Sequence, residues 1–433
     1  MPHMKTPTRA LIVSALLLVF ASGCSDQTEP ASSTDSSSAS DAGSSPAPAG
    51  DDALANRIIE LYAEEDRLAR TAELVEILRN VKEGQGDSLG AALDGLDTTN
   101  RELDQVLIVA GWSKIDPVGA SRWVMRNARQ ELVRFGMLHE SIYEWALRDP
   151  EGLIRDPDIL LYSQKGWDAT SLRALVRGWY DSGKPGLEDF VYGLPTMGED
   201  RQRAVSQLIE SKLAAEGVEP VIEWATTSMR GEFPFRQYIY SRLAGDIAKI
   251  DPERAVAWCE EVCGTKLGQE IPLWIATTWV VDGGGDAMDW ITVRDAEVVA
   301  NRVGARAAYR RFLLNDQDGA LEWMEGTSEE ARTEHEAMQG PLFMYVNEKS
   351  GLGFHEQAIE WTKYIDGEHE REELLTRIAR RWLRQDPDSA ELWLADAPLS
   401  EDKKMEARQP KTTRPGGASG GGGGFGPRER ILN

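Results

Sequence analysis

The chain has 433 residues, with 72 acidic against 48 basic side chains and a formal net charge of −24. That excess of acid argues against nucleic-acid binding, which gathers Lys and Arg on one face to neutralise phosphates. The five histidines, His3, His139, His335, His355 and His369, are scattered without H-x-x-x-H or H-E-x-x-H spacing, and no G-x-S-x-G, P-loop or G-x-G-x-x-G motif occurs, so no catalytic group, cofactor or metal ligand set is expected.

In chain order, Lys5 and Arg9 open a basic start that leads into an eleven-residue apolar run from Ala10 to Phe20. The run is shorter than the about 20 apolar residues of a spanning helix. Ala21, Ser22 and Gly23 follow, and then Cys24. This order resembles the lipobox of bacterial lipoproteins, with Ala21 where that family usually has leucine. The resemblance implies a signal peptide over residues 1–23, acylation at Cys24, and lipid anchoring in a cell envelope. Ser25 stands where enterobacterial lipoproteins associate Asp with inner-membrane retention, which implies the outer membrane and its periplasmic face, although Asp26 lies one place later. After Cys24, the stretch Ser25 to Asp52 holds nine serines, three prolines and no large apolar residue, too little to offset ordering entropy. It is expected to be a disordered tether of about 30 Å average reach.

Residues 53–100 are expected to form capping helices, and residues 101–407 a repeat array. Asp-Pro followed by Ala and Trp at fixed offsets occurs as "DPVGASRW" at Asp116 to Trp123, "DPERAVAW" at Asp251 to Trp258 and "DPDSAELW" at Asp386 to Trp393. Degenerate relatives end at Phe190, Trp224, Trp290, Trp323 and Trp361, and from Phe190 onward the aromatic returns after 34, 34, 32, 33, 38 and 32 residues. A period of that size indicates stacked structural units. The carboxylate of Asp116, Asp251 or Asp386 is a strong helix N-cap, and proline is favoured at the position that follows. A second aromatic stands four residues ahead of the cap or its turn equivalent, as in Trp112, Trp145, Trp179, Phe312 and Trp382. The unit is therefore helix, turn, helix, and "GGGD" at Gly283 to Asp286 replaces Asp-Pro in one copy. Around Asp149 the pattern breaks, with Leu153 and Asp156 where Ala and Trp would stand, so a kink is expected there. This grammar resembles the tetratricopeptide-like and related α-helical solenoids, though the Gly-Tyr and terminal Pro positions of the tetratricopeptide consensus do not recur. It implies an all-α fold, a right-handed α-solenoid of stacked helix pairs. Residues 408–433, with a Gly-rich run and a charge of about +4, are expected to be a disordered basic tail.

Tryptophans in the repeat phase, Trp123, Trp224, Trp258, Trp290, Trp323, Trp361 and Trp393, are assigned to the repeat core. Off-phase Trp167 and the segment "GWYDSGKPG" with Trp179 and Tyr180 are the candidates for an exposed contact surface. Cys259 and Cys263 share a helix face at a separation of four, where Cβ atoms lie about 5–6 Å apart, beyond the roughly 3.5–4.5 Å of a disulfide. They are read as small apolar residues, with a bridge requiring the last turn to fray near Gly264. A solenoid presents a long concave surface, so the expected function is a lipid-anchored scaffold whose concave face binds another envelope protein. The alternative is a cell-wall glycan or peptide binder, with hydrolase or lyase activity if two carboxylates converge.

Overall fold

The computed structural model describes residues 51–96, 102–128, 131–163, 167–195, 198–294 and 298–409. The expected signal peptide, Cys24, nearly all of the expected tether and residues 410–433 of the expected tail lie outside the described residues. Every regular element among those described is helical, and none of these helices is long and apolar enough to cross a membrane.

After three helices at Asp51–Leu61, Arg67–Arg79 and Gly86–Gly95, nine helix pairs follow one another, from Glu102–Ser113 with Pro117–Asn127 to Glu368–Gln385 with Pro387–Asp396. A final helix, Glu401–Arg408, covers the last pair. The first helix of a pair packs on the first helix of the next, and each second helix folds back on its own partner. The fold is an α-solenoid of stacked helix pairs.

The turn within a unit follows from its residues. Asp116 Oδ1 accepts from the backbone N–H of Gly119 at 2.9 Å, Asp251 Oδ1 from that of Arg254 at 2.8 Å, and Asp386 Oδ1 from that of Ser389 at 3.3 Å, each with proline first in the helix. Asp149 and Asp316 cap in the same way, the second without a proline. In the "GGGD" copy no side chain caps. Gly284 instead takes φ +42°, a left-handed conformation open to glycine, and breaks the long helix Ile271–Thr292 into a pair. The expected kink lies at Asp156, between two short helices, Pro150–Arg155 and Pro157–Ser163. Its carboxylate caps the second of these and meets Arg122 of the preceding unit at 2.7 Å.

The alanine of each motif, at Ala120, Ala255, Ala287, Ala320, Ala358 and Ala390, is fully buried, so two helices approach closely there. Beside it the two aromatics of a unit meet. Trp112 and Trp123 have centroids 6.5 Å apart, Trp179 and Phe190 5.5 Å, Trp279 and Trp290 6.3 Å, and Trp382 and Trp393 6.2 Å. In each of these four pairs the partners are eleven residues apart in the chain. Tyr240 with Trp258, Tyr309 with Trp323 and Tyr345 with Trp361 make the same contact from a tyrosine placed earlier on the first helix.

The seven repeat-phase tryptophans do not share one environment, and the uniform core assignment is corrected on that point. Trp258 is fully buried, Trp224 and Trp361 nearly so, whereas Trp123, Trp290, Trp323 and Trp393 are half-buried. Two of the half-buried ones, Trp123 and Trp323, lean on the neighbouring unit's edge, and Trp290 is covered by Arg294 of its own unit. Trp123 Nε1 donates to Asp94 at 2.9 Å and Trp323 Nε1 to Asp289 at 2.9 Å, and the Arg294 guanidinium lies 5.0 Å from the Trp290 ring.

Two further expectations are corrected. Cys259 and Cys263 form a disulfide, with Cα atoms 4.9 Å apart, inside the about 4.4–6.8 Å that a bridge accepts. The last turn closes it without fraying, since the Cys263 N–H still donates to the Cys259 carbonyl at 2.7 Å. Arg408, counted with the tail on composition, ends the final helix and grips Glu391 through two nitrogens at 2.9 and 2.7 Å.

Candidate functional site

The segment singled out by its off-phase aromatics lines a groove of about 370 Å³ between two successive units. Helix Ala169–Asp181 delivers Tyr180, and a loop then turns twice through left-handed glycines, Gly183 at φ +64° and Gly186 at φ +99°, with Pro185 between them. Only glycine takes those angles without strain. A side chain at Gly186 would also come within 3.1 Å of the Trp179 ring, so the loop is pressed onto that indole. The loop ends where helix Leu187–Gly193 presents Glu188 and Asp189.

Trp179 itself is not a contact residue. It is buried, and its Nε1 donates to the Pro185 carbonyl at 3.1 Å, holding the loop in place from below. Tyr180 is half-exposed at the groove, and its hydroxyl donates to Glu216 at 2.7 Å. Burial, and then this carboxylate, raise the phenol well above its ordinary range, so it stays protonated. Trp167 is half-buried a short way off, its backbone N–H bonded to Asp200 at 3.1 Å, and it does not line this groove.

Charge alternates along the groove. Lys212 reaches Glu216 at 3.3 Å and Glu188 at 3.8 Å, and its ammonium stands 5.3 Å from the Trp224 ring. Trp224 Nε1 donates to Glu188 at 3.0 Å, and Arg230 pairs with Asp189 at 3.0 Å. Composition did not reveal this network, because its members come from three helices and the loop that carries Arg230, and converge only once the units stack. What the sequence did carry was the off-phase segment with Trp179 and Tyr180 as a candidate contact surface.

A second cluster lies on helix Glu131–Arg148, where Glu140 and Glu144 stand one turn apart and half-buried. Burial raises both carboxyls above the ordinary 4.5, and Glu140 pushes Glu144 further in the same direction. Lys114 and Arg177 oppose the shift of Glu140. Tyr143, between them in sequence, donates to Asp181 at 2.9 Å. Among the described residues no three of His, Cys, Asp and Glu are grouped so as to hold a metal ion.

No protein-family model, curated protein or solved structure matches the chain.

Proposed function

We propose that this chain is a lipid-anchored helical-repeat scaffold of the cell envelope, facing the periplasm and binding another envelope protein on its repeat surface. The observation that carries the reading is the groove between stacked units. Its rim is a half-exposed tyrosine with alternating carboxylates and cations, a mixture suited to the polar and aromatic side chains of a protein partner. The Cys24 motif supports anchoring, and a tether of the length of Ser25 to Asp52 would let the surface search near the lipid.

The first test is cell fractionation with Cys24→Ala, which should release the protein from membranes. Retention of the variant there would remove the anchor from the proposal. The second is photocrosslinking in living cells from position 180 of the full chain, where a discrete protein recovered in near-stoichiometric yield supports the scaffold. Wall fragments with no protein would favour a glycan reading instead. That second reading draws on Glu140 and Glu144, one turn apart, because the charge of Glu140 helps raise Glu144 and glycan cleavage pairs a raised acid with an ionised carboxylate. Release of soluble fragments from purified wall by the wild type, abolished by Glu140→Gln, would establish it.

A further inference from the structure

At five places along this solenoid an arginine meets a carboxylate on a neighbouring unit. Arg122 pairs with Asp156 at 2.7 Å, Arg242 with Glu210 at 2.6 Å, Arg254 with Glu219 at 2.6 Å, Arg294 with Glu260 at 2.7 Å and Arg302 with Glu336 at 2.6 Å. Every one of these pairs spans 32 to 35 residues, the length of a unit.

The pattern changes on helix Glu368–Gln385. Arg377 and Arg381 reach back one unit, over 30 and 34 residues, but what they meet is Asn347. Arg377 touches its side-chain carbonyl at 3.2 Å and Arg381 its backbone carbonyl at 2.7 Å. The Arg377 guanidinium also lies 5.2 Å from the Phe343 ring. Arg384 extends the row on the same helix face, so three guanidiniums stand four and three residues apart, over about 10 Å of helix. One unit earlier, the exposed Arg306 leans over Gly340, two helical turns before Asn347. The carboxylate within electrostatic reach of Arg381 is Glu348, which already accepts from Gln317. Half-burial and the like charges of Arg384 and Arg377 lower the pKa of Arg381. The fold therefore holds cations together against their mutual repulsion, on a chain whose overall charge is −24.

We propose that the face formed by Arg377, Arg381 and Arg384, with Phe343 and Met344 beside it, is a docking surface for an acidic segment of a protein partner. Guanidinium forks bind carboxylates in paired hydrogen bonds, and Asn347 leaves those forks unfilled. The half-buried Phe343 and Met344 add an apolar contact that a peptide with alternating acidic and apolar side chains can cover. The inference rests on the scaffold reading and supplies its partner's chemistry.

The test uses the purified full-length chain and a fluorescein-labelled synthetic peptide of alternating glutamate, leucine and phenylalanine, followed by fluorescence anisotropy at low and high salt. Binding should weaken with salt, and weaken at least about tenfold in the triple variant R377Q/R381Q/R384Q, while R254Q leaves it unchanged. The triple lysine variant, which keeps the charge, should retain most of the affinity, and equal circular dichroism melts for all variants exclude misfolding. Equal peptide binding by the wild type and the glutamine variant overturns the proposal. Arginine-dependent binding to phosphatidylglycerol vesicles with none to the peptide overturns it too, in favour of a lipid contact. In cells, a photocrosslinking residue at Met344 should capture an acidic protein. Capture of a partner from position 180 but not from 344 sinks this inference and leaves the scaffold standing, whereas capture from neither site removes both.

Discussion

Trp258→Ala is the sharpest test of how the units hold together. The side chain is fully buried, with its ring 5.4 Å from Tyr240 on the preceding helix, Phe233–Ile250. A buried aromatic covers about 150–250 Å², and truncation to alanine gives back most of that. At roughly 25 cal/mol per Å² the transfer contribution is about 3 kcal/mol at the lower area, and the cavity left behind brings the expected loss to about 4–5 kcal/mol. Trp323 has the same place in its unit but is half-buried, its indole turned out to Asp289, so Trp323→Ala should lose only about 1–2 kcal/mol. Trp258→Phe should recover most of the difference, because the indole N–H that it removes has no hydrogen-bond partner. Urea unfolding followed by circular dichroism measures all three, with the slope checked for loss of two-state behaviour. Since a stacked unit couples mainly to its neighbours, amide exchange should accelerate first in Phe233–Ile250 and Pro252–Val262. Equal losses at the two tryptophans, or an unmoved midpoint for Trp258→Ala, would refute the distinction between sealed and edge positions.

Asp251→Ala removes the acceptor for the Arg254 N–H and should lower stability by about 1 kcal/mol, with Asp251→Asn restoring most of it in the same urea titration. Reduction of Cys259–Cys263 should lower the unfolding free energy by no more than about 2 kcal/mol, because the bridge closes a sequence separation of 4 and constrains the unfolded chain little. A loss well beyond that would mean that the bridge organises more than the end of its helix. Lys349, which contacts Glu325 at 2.5 Å, and Tyr345, which donates to it at 2.9 Å, hold the Glu325 carboxyl below the ordinary 4.5. Its contribution is thus present above pH 4.5 and is lost as pH falls through the lower folded-state value. Stability measured down a pH series should fall less steeply in Glu325→Gln than in the wild type, and parallel curves would contradict the linkage.

Local rules made the helix pairs legible. Asp-Pro starts a helix wherever it stands, and a small residue three positions before an aromatic places both on one face, so Asp116, Asp251, Asp386 and their alanines could be assigned before any packing was known. The off-phase segment with Trp179 and Tyr180, expected as a contact surface, became one wall of the groove. The outcome at Trp179 shows where such reasoning stops. Its composition resembles that of Tyr180 next to it, but a one-residue step turns a helical side chain by about 100°, which put Trp179 under the loop and Tyr180 at its rim.

What remained for the tertiary structure was everything that depends on two units at once. The chain's own periodicity determined that there are units, roughly how many, and where each turns. Stacking decided which tryptophans are sealed and which sit on an edge, because burial is a property of the neighbour as much as of the residue. The Cys259–Cys263 bridge depended instead on the actual geometry of one helical turn, with Cα atoms 4.9 Å apart, which spacing in the sequence did not give. Finally, stacking set Arg377 and Arg381 opposite Asn347, whereas five other arginines were set opposite a carboxylate of a neighbouring unit. The sequence contains all of these residues, but charge complementarity thirty residues apart exists only once the fold has brought those positions face to face.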